Sequence, residues 1–278
     1  MSDWESLGTA AATQLTEARL ETHHAAQWLA RATRAYCTPV PDDSHTSLTW
    51  DFAATALMTQ PITPKLTMGL RINPLSLVAK TPKGNEPLSL LSRTEKDVGI
   101  WMTDLLKEHQ LEADKLNAPG PYTLPKHPLD SGLSYGLAKK EDYEELARYF
   151  SNAATLLETL KKKHSSASPV RCWPHHFDIA TLISLDKKGG EHARSIGVGL
   201  SPGDDSYPEP YFYMSPWPYP LQSDLPSVIA PAFWHREGFT AVILKGSDLA
   251  SMDSGTQPEK AILIIDRAIM LNKSLLEK

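Results

Sequence analysis

Between Arg171 and Ile183 the chain carries His175, His176 and Asp178 in a run that otherwise reads as a hydrophobic strand. Side chains of a strand alternate faces, so Phe177, Ile179, Thr181 and Ile183 are predicted on one side and His176, Asp178, Ala180 and Leu182 on the other. The same reading of Arg194 to Leu200 sets Ile196, Val198 and Leu200 against Ser195, Gly197, Gly199 and Ser201. In Pro210 to Ser215, Phe212 and Met214 look toward a core and leave Glu209, Tyr211 and Tyr213 opposite. If the apolar sides form one core, the other face gathers an imidazole, two carboxylates and two phenols over glycines, which often mark close approach of a ligand.

Such a set could do acid–base work, with His176 as base, Asp178 orienting it and Glu209 as acid. The same His176, Asp178 and Glu209 could hold a divalent metal ion, with His175 joining if Pro174 bends the strand. Tyr211, Tyr213 and Trp217 would bind substrate, and Asp204 and Asp205 of the Pro202–Tyr207 loop are further oxygen ligands or simple turn formers. The plain packing alternative has His176 and Asp178 satisfying each other in a buried polar layer, with Tyr211, Tyr213, Trp217 and Tyr219 as packing residues. The helical His-Glu-x-x-His spacing, paired cysteines, a Walker loop, Gly-x-Gly-x-x-Gly after a strand and Gly-x-Ser-x-Gly are all missing. Three readings stay open: an enzyme acting on a small polar molecule, a non-catalytic binder stacking a sugar or similar ligand on aromatics, and an interaction module using its aromatic, Pro-rich loop.

The elements that must position these residues follow from periodicity. Thr13 to Tyr36 is a predicted helix ended by Pro39 and Pro41, with His23 and His24 expected at its surface. Ser44 to Phe52 alternates as a strand, placing His45, Ser47, Thr49 and Asp51 on a polar face beside Gly69, Arg71 and Asn73 of a second strand, Leu66 to Asn73. A short apolar run, Leu75 to Val78, continues that antiparallel meander. Arg71 could pair with Asp51 or bind a substrate carboxylate or phosphate through its bidentate fork, and His45 and Arg71 would join His176 and Asp178 if the two halves shared a cavity. Thr94 and Asp97 mark a helix start before Val98, Trp101, Met102, Leu105 and Leu106. A Pro- and Gly-rich connection suggests a half-boundary at about 118–138, within a single compact unit whose halves would be 1–117 and 139–278. Beyond it come a helix over Lys140 to Lys163, strands near Cys172 to Leu185, Arg194 to Leu200, Pro210 to Ser215 and Phe239 to Leu244, and a last helix over Pro258 to Leu276. The expected class is α+β with largely antiparallel sheet and long helices packed on it, an order of elements open to two αβββα-like halves.

Composition narrows the partners. A net charge of −5 and a pI near 6.1 lack the basic face of a nucleic-acid binder, and Lys161 to Lys163 fall at a helix end, where they complement the dipole. Cys37 and Cys172 are too few for a disulfide framework and fit free thiols in a reducing compartment. No basic leader with an apolar core and no long apolar run appears, so a cytoplasmic protein without a membrane partner is expected, its oligomeric state open. Twenty-two prolines against fifteen glycines imply rigid loops of the kind that wall a cleft.

Three motifs carry a resemblance. Trp173-Pro174-His175-His176-Phe177-Asp178, Pro202-Gly203-Asp204 and Pro208-Glu209-Pro210-Tyr211-Phe212-Tyr213 resemble the Trp-x-His-His-Phe-Asp, Pro-Gly-Asp and Pro-Glu-Pro-x-Phe-Tyr elements of an uncharacterised bacterial domain-of-unknown-function family. The likeness covers roughly 170 to 245, and Pro41 to His45 resembles a closer subset. It implies a bacterial cytoplasmic protein and supplies no activity, cofactor or catalytic residue.

Overall fold

The computed structural model describes residues 4–187, 190 and 193–277. It is α+β, with two antiparallel sheets of five and six strands. The chain divides into two compact units: Thr16–Ala147 with Cys172–Phe177, here the α1 unit, and Met1–Leu15, Arg148–Arg171 and Asp178–Lys278, here the α5 unit. The division passes through the helix α3 (Lys140–Lys163) instead of the Pro- and Gly-rich 118–138 stretch.

In the α1 unit, α1 (Thr16–Tyr36) precedes a five-strand meander whose spatial order is its chain order: β1 (Thr49–Asp51), β2 (Ala56–Met58), β3 (Thr67–Arg71), β4 (Ser76–Thr81) and β5 (Gly84–Ser89). Apolar pairs such as Leu57 with Leu70 and Leu70 with Leu77 register across it, and all three leucines are fully buried. The strand expected over Ser44 to Phe52 begins only at Thr49; Ser44–Thr46 forms a 3-10 turn instead. His45 therefore lies off the strand, buried, its carbonyl accepting from Gln60 Nε2 at 2.9 Å. α2 (Glu95–Glu108) starts where Thr94 and Asp97 predict, through a reciprocal capping box: Asp97 N donates to Thr94 Oγ1 at 3.2 Å and Thr94 N to Asp97 Oδ2 at 2.8 Å.

α1 is buried nearly all round from Ala18 to Ala30, so His23 and His24, expected at the surface, are only 4% and 5% exposed. Small alanines let its neighbours approach closely enough to cover the polar positions as well. Glu21 is fully buried, and its carboxylate accepts from the backbone N–H groups of Gly136 (2.6 Å), Leu137 (3.1 Å) and Ala138 (3.1 Å) and from the Tyr143 hydroxyl. Four donors on one carboxylate tie the loop before α3 to the middle of α1.

In the α5 unit, strand order is β10 (Phe233–His235), β11 (Ala241–Lys245), β9 (Tyr211–Trp217), β8 (Ser195–Ser201), β7 (Asp178–Ser184), with β6 (Arg171–Trp173), whose first residue belongs to this unit, as the sixth. The short helix α4 (Gly246–Ala250) and the long α5 (Gln257–Leu276) follow, and α5 packs on β8 and β9. Register sets Thr181, Val198, Met214 and Val242 in one row, all buried. In β9 Phe212 and Met214 are in the core as expected while Tyr213, Ser215 and Trp217 alternate outward. Tyr211, expected beside Tyr213 on an open face, is instead 4% exposed in an apolar cluster with Ala241 and Ile243, and β8 is buried at every position but the half-buried Gly197. Among the described residues no helix is long and apolar enough to cross a membrane.

Candidate functional site

The strand expected from Cys172 to Leu185 is interrupted. Pro174 to Phe177 form a turn in which Phe177 N donates to Trp173 O at 2.7 Å and Phe177 adopts φ 57°, a left-handed conformation that bulky side chains rarely accept. Proline supplies no N–H for a ladder, which is one reason that the strand ends here. His175 and His176 thus leave the strand, exposed at the turn with ring centroids 4.4 Å apart. The alternation resumes only from Asp178, with Ile179, Thr181 and Ile183 inward.

This turn is held from below by α1. The Pro174 carbonyl accepts from His23 Nε2 and from Gln27 Nε2, each at 2.8 Å, so His23 carries its proton on Nε2. The Phe177 ring, fully buried, stacks on the His23 imidazole. Burial, reinforced by the nearby His24, Arg19 and His176 charges, lowers the His23 pKa to about 4, against the opposing bond to Pro174, which keeps the ring neutral at pH 7. Gln27 also accepts from the Tyr122 hydroxyl at 2.9 Å. Turn, helix and the Pro119–Tyr122 segment are therefore one hydrogen-bonded assembly. Strain at Phe177 and a buried polar layer beneath it are the usual companions of a functional surface.

Above that assembly lies a groove of about 600 Å³ within the α1 unit, lined by Arg34, Asp42, Asp43, His45, Thr46, Pro119 to Tyr122, Trp173 and His175. Tyr122 and His175 have ring centroids 5.9 Å apart, and Trp173 meets His175 edge-on at 6.2 Å. The Arg34 guanidinium lies 5.9 Å from the Tyr122 ring centroid. Burial pushes the Tyr122 phenol up, opposed by Arg34. His45 Nδ1 accepts from Val40 N at 3.4 Å, so the neutral ring has its proton on Nε2.

Of the residues singled out from sequence, His45 and His175 line this groove. Arg71 does not; its Nε donates to Ala54 O at 3.3 Å, while Asp51 caps the turn by accepting from Ala53 N and Ala54 N. His176 belongs to the α1 unit and Asp178 and Glu209 to the α5 unit. Asp178 accepts from the Tyr213 hydroxyl at 2.5 Å. Glu209, 5% exposed, accepts from Ser247 N at 2.8 Å and has Lys245 Nζ at 4.0 Å. Asp204 accepts from Tyr211 at 2.5 Å and closes its own turn with Ser206 N and Tyr207 N. Burial and then Asp204 raise the Tyr211 phenol pKa. Trp217 is 41% exposed and packs edge-on against Tyr219.

The space above Gly199 is filled from within. A Cβ there would lie 2.6 Å from the Tyr213 hydroxyl, 2.7 Å from its Cζ and 2.8 Å from Ala180 Cβ. The glycine accommodates the tyrosine that reaches Asp178, and the acids of this face serve phenols and backbone. Among the described residues no three His, Cys, Asp or Glu side chains converge to hold a metal ion, so the ligand set His176, Asp178 and Glu209 finds no support.

Sequence reasoning missed His23, Gln27, Arg34 and Tyr122. The available signal was the pairing of polar residues at i and i+4 inside an alanine-rich helix, Glu17 with Glu21 and His23 with Gln27. No protein-family model, curated protein or solved structure matches the chain.

Proposed function

We propose that the protein binds a small polar molecule with a flat face in the groove of the α1 unit. The observation carrying this reading is the shared support of its aromatic walls: His23 and Gln27 hold the turn flanked by Trp173 and bearing His175, and Gln27 also holds Tyr122. Preorganised aromatic walls spare a ligand part of the cost of ordering its site. Arg34 offers a fork for an acidic group, while Asp42 and Asp43 offer oxygen to a basic one, so an aromatic zwitterion matches the lining. The metal-assisted version has no ligand set to rest on.

The probes are tryptophan, tryptamine and indolepropionate, followed by saturation-transfer NMR and calorimetry. Tryptophan is expected to bind best, Arg34→Gln to erase its advantage over tryptamine, and Tyr122→Ala to weaken all three. Equal binding of the three probes, or binding indifferent to Tyr122→Ala, overturns the reading.

Two imidazoles on one groove, His45 and His175, favour a second reading, in which the same site carries out proton transfer on its ligand. Turnover lost in His45→Gln with ligand affinity kept would establish it; unchanged turnover would remove it.

A further inference from the structure

The α5 unit contains a pocket of about 440 Å³ that plays no part in the groove. Its floor is Val242 of β11, Ile264 and Ala268 of α5 and Ala232, all less than 10% exposed. Its mouth is apolar as well, with Ile229 44% and Met270 62% exposed to water. One ionisable side chain lines it, Arg267. That guanidinium is exposed and makes no ion pair or hydrogen bond among the described residues, while the preceding Asp266 is taken by Lys163 Nζ at 2.7 Å. The charge at the mouth is thus uncompensated and positive, above a floor of hydrocarbon.

We propose that this pocket binds a medium-chain fatty carboxylate, the acyl tail over Val242, Ile264 and Ala268 and the head group on Arg267. Its volume falls in the range of small-ligand pockets, roughly 300 to 1,000 Å³. Covering the mouth residues removes apolar surface from water, and the planar guanidinium matches a carboxylate bidentately. The Ser274 hydroxyl donates to Met270 O at 3.1 Å and keeps acceptor capacity only, which leaves Arg267 as the charged donor for the anion and Ser227 as the one other lining hydroxyl.

The experiment is calorimetry with decanoate, decylamine and decanol below their aggregation limits, with the Met270 methyl followed by NMR in methyl-labelled protein. Decanoate is expected to bind at one site, to shift the Met270 methyl and to exceed decylamine and decanol in affinity. Arg267→Gln is expected to weaken decanoate at least about tenfold, the loss expected with a charge-assisted hydrogen bond, while leaving decanol unchanged. Arg267→Glu is expected to reverse the order of decanoate and decylamine; being exposed, position 267 tolerates both changes without loss of the fold. Equal binding of all three probes, decanoate binding that ignores Arg267→Glu, or a Met270 methyl that stays put would each overturn the proposal. So would concentration-dependent self-association abolished by Ile229→Asp, which would assign the mouth to a second copy of the chain.

Discussion

His23 and Phe177 stack with ring centroids 5.3 Å apart and planes 10° from parallel, so a buried imidazole of α1 is the platform for the strained end of the His175–His176 turn. An imidazolium there would sit in a desolvated layer with its Nε2 already committed to Pro174 O.

The first prediction concerns pH. His23 has its pKa lowered to about 4 in the folded chain against 6.5 for an unperturbed histidine, so unfolding takes up a proton between these values. Its contribution to stability is complete above about pH 6.5 and is lost as pH falls through about 4, amounting to about 3 kcal/mol over the interval. Urea midpoints of wild type and His23→Gln across pH 4 to 7.5 check this. The gap in stability between the two should narrow steadily toward the acid end; a constant gap would show that His23 titrates normally.

Glu21 supplies a second. Its fully buried carboxylate serves three backbone N–H groups and one phenol, and an amide in its place would aim a donor at donors. Glu21→Gln is expected to cost on the order of 3 kcal/mol, from one charged acceptor lost and donors left unpaired. Chemical denaturation measures it, and a change below about 1 kcal/mol would mean that water readily replaces the carboxylate.

The Gly199–Tyr213 contact leads to a third. Gly199→Ala forces Tyr213 off Asp178, since the added methyl would lie between the Tyr213 hydroxyl at 2.6 Å and Ala180 Cβ at 2.8 Å, and overpacking of this kind costs roughly 1–3 kcal/mol. In Tyr213→Ala the tyrosine contact is gone and only Ala180 Cβ, 2.8 Å away, still crowds the methyl, so the double mutant should be less unstable than the sum of the single changes. Strict additivity would show that Ala180 or the backbone, and not the tyrosine, sets the clash.

What the residue order alone discloses is local. Facing from Asp178 onward, the Thr94–Asp97 cap and the full span of α3 each depend on a few neighbouring residues and came out as periodicity and capping chemistry require. His176 left its predicted face because a proline and one left-handed residue broke the strand before parity could apply. The burial of His23 left only a faint signature, the His23 and Gln27 pair at i and i+4 in an alanine-rich helix, which a helix with a polar face shows as well. β2, β5 and β10 were missed because three to six residues with little alternation leave no period to detect. The groove was illegible for a different reason: Arg34, His45, Tyr122 and His175 come from four segments that only tertiary folding brings together.

The last prediction separates the two adjacent histidines. His175 lines the groove and contacts the Tyr122 and Trp173 rings, whereas His176 is exposed, is not among the groove's lining residues and meets His175 in a tilted ring contact. His176→Ala should change stability by no more than about 0.5 kcal/mol, as exposed substitutions do, and leave tryptophan affinity nearly unchanged. Gln27→Glu acts from below, replacing the N–H donor to Pro174 O with an oxygen that repels it, while Tyr122 keeps an acceptor. It should loosen the turn, weaken tryptophan about tenfold and lower stability by on the order of 2 kcal/mol, through loss of one of the two bonds to Pro174 O and the repulsion of a buried carboxylate oxygen from that carbonyl, which keeps its bond from His23. Calorimetry on the two variants side by side makes the comparison. If His176→Ala abolished binding while Gln27→Glu left it intact, the chemistry would belong to the exposed imidazole and the groove would be only its neighbour.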